Sequence, residues 1–263
     1  MLSQRAFSAA GALAVLIFCL WKGQPWFTFL LVLMAFISVR EFYRLVLSEQ
    51  PPLLRLFGQI WTILFVLAPL SEETWVLPLL ITTAVTVSLL LGLFRPGQGA
   101  LLGWTWNLAG MFYVGWLLSH YVSLMQLERG TEFVVLLMFT TFSCDTAAYI
   151  FGTNFGRTKM VPNISPGKTW EGAIGGFLAA IAVSNFLGSV LNIGIGYLQL
   201  SILGAIVGVL AQVGDLAESM LKRSAGVKDT GNVLAGHGGL LDRLDSVLFV
   251  GAGAYYYIIL VLL

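Results

Sequence analysis

The sequence is poor in charge. Lysine, arginine, aspartate and glutamate make up 10% of its 263 residues, whereas a soluble domain carries about 25%. Hydrophobic residues fill 58% of the chain and recur in long runs, so an ordinary water-soluble domain is excluded. The formal net charge is +1, which gives no electrostatic basis for binding nucleic acid. Nucleic acid is therefore not among the predicted partners.

Cysteine and histidine are also scarce, with two of each in the whole chain. Cys19 and Cys144 both lie inside apolar runs, so neither a disulfide framework nor a zinc-binding spacing is present. Any metal site would therefore have to be built mainly from carboxylate oxygens.

Apolar runs long enough to cross a bilayer, about 20 residues each, occur nine times along the chain. They fall at 6–22, 24–40, 53–71, 74–94, 99–125, 132–152, 171–191, 197–217 and 241–262. Continuous runs predict helices rather than the alternating segments of a barrel. The predicted fold is thus an all-α polytopic membrane protein of about nine transmembrane helices. The first run lacks a small-residue cleavage site before Trp21, so we expect it to be a retained span and not a signal peptide.

The basic residues predict an orientation. With nine spans, 12 of the 14 lysines and arginines fall on one side, and only Lys22 and Arg129 fall on the other. Because positive loops stay in the cytoplasm, we expect a cytoplasmic N-terminus and a C-terminus on the opposite side of the cytoplasmic membrane. Residues 1–130 are predicted to serve packing, lipid access and dimer contacts, and residues 131–263 to form the catalytic region.

Residues 215–246 hold nine of the 27 charged side chains. Asp215, Glu218 and Lys222 are spaced to share one face of a helix. Asp242 and Asp245 repeat the three-residue spacing at the start of the last run, so two helices can each present carboxylates. Oxygen ligands without a histidine or cysteine cluster favour Mg²⁺. The predicted ligands are Asp215, Asp242 and Asp245.

Basic residues and glycines lie among these carboxylates. Phosphate oxygens would be held by the cations of this stretch, which are Lys222, Arg223, Lys228 and Arg243. The turn at 236–239 contributes His237, Gly238 and Gly239, and its glycines let the backbone approach a ligand closely. Together these groups predict metal-assisted phosphoryl or nucleotidyl transfer with the site facing the cytoplasm. The alternative is a basic loop at the membrane surface with ion pairs inside a helix, such as Glu218 with Lys222.

Other polar residues extend this hypothesis. An ionised Asp145 inside the sixth run would cost about 2.5–3.5 kcal/mol, which favours a carboxylate lining a polar cavity over one that only hydrogen-bonds Thr141 or Ser143. Ser165 and Lys168 precede the seventh run, where a helix start would attract an anion. The alternative there is an interfacial lysine beside a helix cap.

Two further patterns predict helix packing and an ion pair. Glycine pairs at 172/176 and 204/208 predict close helix contacts. Glu41, at the end of the second run, is interpreted as an ion-pair partner of Arg40 or Arg44.

The run SMLKRSAGVKDTGNVLAGHGGLLDRLD, Ser219 to Asp245, closely resembles the signature of the phosphatidate cytidylyltransferase family. Ala235 stands where that family usually has proline or glycine. The block Ile164–Gly172 is also similar, with Gly167 in place of a frequent second lysine. The span around Asp145 is similar to the family's preceding span.

The resemblance implies that CTP and phosphatidic acid give CDP-diacylglycerol and pyrophosphate, with Mg²⁺ required and a homodimer in the bilayer. The catalytic residues would be Asp215, Lys222, Arg223, Asp242, Arg243 and Asp245. The substrate-binding residues would be Asp145, Ser165, Lys168, Lys228, His237, Gly238 and Gly239. A related CTP-dependent enzyme acting on an isoprenoid or ether lipid is the alternative. An ion-coupled transporter is a more remote one, because its usual internal repeats are absent here.

Overall fold

The computed structural model describes residues 2–47, 50–94, 98–231 and 238–262, with only the backbone given at 2–10, 12 and 98. Helices dominate it. They are α1 (Leu2–Lys22), α2 (Trp26–Val46), α3 (Pro52–Leu67), α4 (Val76–Leu93), α5 (Gln98–Gly110), α6 (Leu117–Met125), α7 (Gly130–Phe155), α8 (Trp170–Val190), α9 (Tyr197–Ser224) and α10 (Asp245–Tyr257). A π-helical stretch, Met111–Trp116, joins α5 to α6, so these two form one continuous helix and the described residues form nine long helices.

Seven of the helices in the described residues are long and apolar enough to cross a membrane. They are Pro52–Leu70, Val76–Leu93, Gly99–Met125, Gly130–Phe155, Trp170–Val190, Tyr197–Ser224 and Asp245–Leu262. The predicted all-α fold is confirmed, with seven helices that could span a membrane. Nine membrane crossings, and the side on which each loop lies, stay predictions.

A β-hairpin precedes α8 and was not predicted. Its antiparallel strands are β1 (Lys159–Val161) and β2 (Ser165–Thr169). The Thr169 hydroxyl accepts the Gly172 N–H at 3.2 Å, so α8 begins only at Trp170. Ser165 and Lys168 thus directly precede a helix start, as expected, and Thr169 forms the helix cap, but both residues lie on a strand that was not predicted. Anion binding there stays a prediction.

The chain divides into two compact units. The first comprises the residues up to Ser123 together with Asp229–Asp242, and the second comprises Leu124–Lys228 with the residues from Arg243 onward. In the first unit, a hydrophobic core forms around Phe57, Phe65 and Met111. The roles predicted for residues 1–130 and 131–263 stay predictions.

The second unit is held together by glycine-mediated contacts between α7, α8 and α9. A side chain at Gly172 or Gly176 would collide with the α7 carbonyls of Ala148 or Cys144, and one at Gly204 would collide with the backbone of α8. The close packing predicted from the glycine pairs is confirmed, and it occurs within one chain.

We expect Gly204→Ala to lower the free energy of unfolding by about 1–3 kcal/mol. Its Cβ would lie 2.7 Å from the Ile181 Cα and 2.8 Å from the Ala180 carbonyl oxygen, and backbone atoms cannot rotate away. Thermal unfolding in detergent checks this. Gly11→Ala is the matched control, because a Cβ there meets no heavy atom within 4 Å. Equal midpoints for the two variants would contradict the packing.

Candidate active site

A cavity of about 400 Å³ lies in the second unit, bordered by α7, the hairpin, the first turn of α8 and α9. We call it the carboxylate cavity. Among the residues that line it are Asp145, Ser165, Lys168, Thr169, Gln212 and Asp215. Four of these, Asp145, Ser165, Lys168 and Asp215, were predicted as site residues from separate parts of the sequence.

An ion pair joins the hairpin to α9 across this cavity. The Lys168 Nζ lies 2.8 Å from Asp215 Oδ2, and the Ser219 hydroxyl donates to Asp215 Oδ1 at 3.3 Å. Gln212, one turn earlier on α9, donates to the Ala173 carbonyl of α8 at 3.0 Å. The contacts with Lys168 and Ser219 orient the two carboxylate oxygens of Asp215, and the Gln212 contact joins α9 to α8.

Asp245 brings a third carboxylate close to Asp145 and Asp215. It is the first residue of α10, and its Oδ1 accepts the Ser246 N–H at 2.7 Å. The three carboxylates are near enough to repel one another electrostatically, and the Ser246 side chain hydrogen-bonds Asp145. Gly214 makes this approach feasible, because a side chain there would collide with the Asp245 carbonyl.

Glu218 adds a fourth carboxylate. It is fully buried, lies within hydrogen-bonding reach of Asp245, and pairs with the Lys222 Nζ at 3.1 Å. The predicted alternative, a Glu218–Lys222 pair within the helix, is thus present but does not neutralise the cluster. When ionised, Asp145, Asp215, Glu218 and Asp245 face two ammonium groups, Lys168 and Lys222. Because a hydrogen bond between Glu218 and Asp245 places a proton on one of the two carboxyls, the negative excess is smaller than a full count of the four groups, but it still attracts a cation.

The protein side chains alone do not complete a metal site. Across the described ranges, no three histidine, cysteine, aspartate or glutamate side chains are placed so as to hold an ion by themselves. Mg²⁺ in phosphate-transfer sites is usually held by one or two carboxylates, substrate phosphates and water. The oxygen-rich donor set around Asp215 and Asp245 fits that requirement.

The other predicted cations of the second unit are Arg223, near the end of α9, and Lys228 and Arg243, which follow it in the chain. Arg223 is exposed, and its Nε donates to the Ile164 carbonyl at 3.3 Å, which attaches the tip of the hairpin to this helix. Lys228 and Arg243 are both exposed. All three are therefore accessible to an anion from solvent.

Asp242 belongs to the first unit. It was predicted to share a helix with Asp245, but α10 begins at Asp245, and Asp242 lies in the short 3₁₀ turn Leu241–Arg243. Its Oδ2 accepts the Gly239 N–H at 2.8 Å and the Thr230 N–H at 3.0 Å. The prediction that Asp242 and Asp245 share a helix is therefore wrong. The Asp242 carboxylate instead accepts backbone N–H groups in the turn before α10.

The predicted glycine turn is described only in part. Gly238 has a φ of +83°, a conformation that favours glycine, and Gly239 is buried against Glu41 and Thr230. His237 lies outside the described residues. The phosphate-binding roles of all three stay predictions.

Glu41, on α2, holds the segment Asp229–Asp242 in place, and the sequence did not predict this role. It is 1% exposed, and its carboxylate accepts the N–H groups of Leu240 and Leu241 at 3.1 and 2.9 Å. The Thr230 hydroxyl lies 3.4 Å away. The expected ion pair with Arg40 or Arg44 is wrong, since backbone amides about 200 residues away are the partners. No residue-type signal could have indicated them.

We expect Glu41→Ala to loosen the Asp229–Asp242 segment. Each backbone donor that loses its buried acceptor costs about 1–3 kcal/mol. Hydrogen exchange should therefore accelerate in peptides that contain Leu240 and Leu241. Glu72→Ala, at an exposed glutamate, is the control and should leave exchange unchanged. Unaltered protection in Glu41→Ala would show that the carboxylate does not hold the segment.

The chain as a whole is similar to known proteins. A model of the cytidylyltransferase family matches residues 3–261. The chain is 33% identical over 242 residues to a phosphatidate cytidylyltransferase of Brucella suis biovar 1 (strain 1330), covering 90% of this chain and 86% of that protein. It is 28% identical over 311 residues to one from Synechocystis sp. (strain PCC 6803), covering 100% and 98%. It is also 38% identical over 156 residues to the uncharacterized protein YnbB of Escherichia coli (strain K12), covering 59% and 51%.

Proposed function

Because the chain belongs to the cytidylyltransferase family, we propose that it transfers the cytidylyl group of CTP to phosphatidic acid, giving CDP-diacylglycerol and pyrophosphate. The observation that carries this proposal is the carboxylate cluster of Asp145, Asp215 and Asp245, which lies beside Lys168 and Lys222 in one unit. Such a site suits a substrate that brings phosphate oxygens together with a divalent cation.

Mg²⁺ is the proposed cofactor. Asp215 and Asp245 would hold it together with substrate phosphates and water, and when bound it would neutralise charge on the phosphate oxygens. The oxygen-only donor set of the cluster and the phosphates of the proposed substrate support this choice. Asp242, whose carboxylate is engaged by two backbone amides, is better suited to ordering its own segment than to binding the metal.

The reaction needs little covalent help from the protein. An oxygen of the lipid phosphate bonds to the α-phosphorus of CTP, while the bond from that phosphorus to the oxygen bridging the β-phosphate breaks. Lys168 would exchange Asp215 for a phosphate oxygen when substrate binds. The exposed cations Arg223, Lys228 and Arg243 would hold the triphosphate or the lipid phosphate, and Ser165 would close the cavity from the hairpin. Phosphate monoesters are nucleophilic near neutral pH, so no strong general base is required.

One experiment distinguishes whether Asp242 orders its own segment or binds the metal. Asparagine can keep an acceptor oxygen at the Oδ2 position, which accepts both N–H groups, but it loses the carboxylate charge and places an NH₂ group where Oδ1 lies 3.3 Å from the Thr230 nitrogen. We expect Asp242→Asn to lose about tenfold in activity, and the loss should be the same at every Mg²⁺ concentration. A titration with Mg²⁺ checks this. Full recovery at high Mg²⁺ would instead make Asp242 a metal ligand.

The lipid substrate can be tested with a panel. Purified protein in detergent is given CTP, Mg²⁺ and one of three acceptors, namely phosphatidate, an ether-linked analogue of phosphatidate or an isoprenoid phosphate. We expect phosphatidate to give the highest kcat/KM. A preference for the isoprenoid would reject phosphatidate as the substrate while leaving CTP-dependent chemistry in place.

We also propose that the site faces the cytoplasm of a cytoplasmic-membrane protein and that the chain forms a homodimer. The distribution of lysine and arginine supports the orientation, and the dimer follows from the family resemblance alone.

A further inference from the structure

A second cavity of about 400 Å³ lies in the first unit, between the end of α2 and the start of α3. It shares no lining residue with the carboxylate cavity. Three arginines, Arg40, Arg44 and Arg55, line it beside Tyr43 and Gln59, and none of the lining residues that the structure describes is a carboxylate. We call it the arginine pocket.

The three arginines have no ion-pair partner among the described residues. Arg40 and Arg44 are one helical turn apart and therefore share a face of α2. Glu41 points its carboxylate to the backbone amides of Leu240 and Leu241 instead. Within residues 2–47, 50–94, 98–231 and 238–262, neither arginine nor Arg55 takes part in an ion pair.

The wall of the pocket is closely packed. Tyr43 is 1% exposed, and its hydroxyl donates to the Asn107 carbonyl at 2.7 Å. Side chains at Gly58 or Gly110 would collide with its ring. Arg40 and Arg44 are exposed and Arg55 is half-buried. The two helices that carry them pack around a buried aromatic side chain, which fixes the backbone positions of the three arginines.

An apolar face continues from the pocket along α3. Leu53, Leu56 and Ile60 are 59%, 51% and 45% exposed, and their spacing places them on one side of the helix. Leu56 itself lines the pocket, so guanidinium groups and exposed aliphatic side chains meet there. An amphipathic ligand fits this arrangement better than a free phosphate ion.

We propose that Arg40, Arg44 and Arg55 bind the phosphate group of an anionic membrane lipid, whose acyl chain lies against the exposed face of α3. Guanidinium groups form paired hydrogen bonds with phosphate oxygens. The inference does not depend on the proposed reaction, because it concerns binding at separate residues and can be measured without CTP.

The test uses the purified full-length protein in detergent, titrated with short-chain phosphatidylglycerol and followed by native mass spectrometry. This lipid has the required phosphate and is not the acceptor of the proposed reaction. Arg40→Gln/Arg44→Gln is compared with Lys22→Gln/Arg129→Gln, which removes the same number of positive charges elsewhere. Arg40→Lys/Arg44→Lys keeps the charge but not the planar guanidinium. Diacylglycerol and inorganic phosphate are the other two probes.

We expect the Arg40→Gln/Arg44→Gln variant to bind phosphatidylglycerol about tenfold more weakly or worse. The Lys22→Gln/Arg129→Gln control should match the wild type, and the lysine variant should fall between them. Diacylglycerol should not compete. Equal lipid binding by both glutamine variants would overturn the proposal. Displacement of the lipid by millimolar inorganic phosphate would reject a lipid as the ligand of the arginine pocket and indicate a soluble anion instead.

Discussion

Asp215→Asn should lower kcat for CDP-diacylglycerol formation by about 1,000-fold or more. The substitution keeps the size of the side chain but removes the charge that pairs with Lys168 at 2.8 Å. It also removes one of the carboxylates proposed to hold Mg²⁺. Initial rates with saturating CTP, lipid and Mg²⁺ measure the effect.

Glu128→Gln provides the control, because it neutralises an exposed carboxylate outside the cavity and should leave kcat unchanged. Thermal unfolding of Asp215→Asn in detergent should be close to that of the wild type, since the variant relieves repulsion among three carboxylates. A folded Asp215→Asn protein with near-normal kcat would remove Asp215 from the proposed site.

Lys168→Met should lower kcat/KM for CTP by about 100-fold. In this structure Lys168 neutralises Asp215, and in the reaction it is proposed to bind a phosphate oxygen. Methionine keeps the length of the side chain but offers neither charge nor a donor. Steady-state kinetics with varied CTP would reveal the loss.

Lys159→Met is the matched control for this prediction, since Lys159 is an exposed lysine on the other strand of the same hairpin. Because Lys168 and Asp215 act on one another, we expect Lys168→Met and Asp215→Asn to be strongly non-additive when combined. Wild-type kinetics in Lys168→Met, or simple additivity in the double variant, would show that the ion pair has no part in catalysis.

The helical parts of the site were predictable from sequence. Asp215, Glu218, Ser219 and Lys222 lie on one helix, as their spacing indicated, because a regular helix fixes which residues share a face. The glycine pairs of α8 and α9 lie at the predicted close contacts for the same reason. The motif from Ser219 to Asp245 was specific enough to identify the family, which is confirmed over residues 3–261.

The irregular parts were not predictable. The spacing of Asp242 and Asp245 suits a helix, but the amides of Thr230 and Gly239 engage the Asp242 carboxylate ahead of α10. Every residue except proline has a backbone N–H group, so the sequence cannot show which of these groups a carboxylate will bind. The role of Glu41 was missed for the same reason. The hairpin was missed because its strands have three and five residues, and the second contains Pro166 and Gly167, which are uncommon in strands.

The destination of the phosphorus atoms of CTP tests the central claim most directly. The purified protein is incubated with phosphatidate, Mg²⁺ and CTP labelled at either the α- or the γ-phosphorus, and the extracted lipid is counted. We predict that the α-label enters the lipid, that the γ-label leaves as pyrophosphate, and that Asp215→Asn transfers neither. Transfer of the γ-label to the lipid, with the α-label retained in soluble CDP, would identify a kinase and contradict cytidylyl transfer.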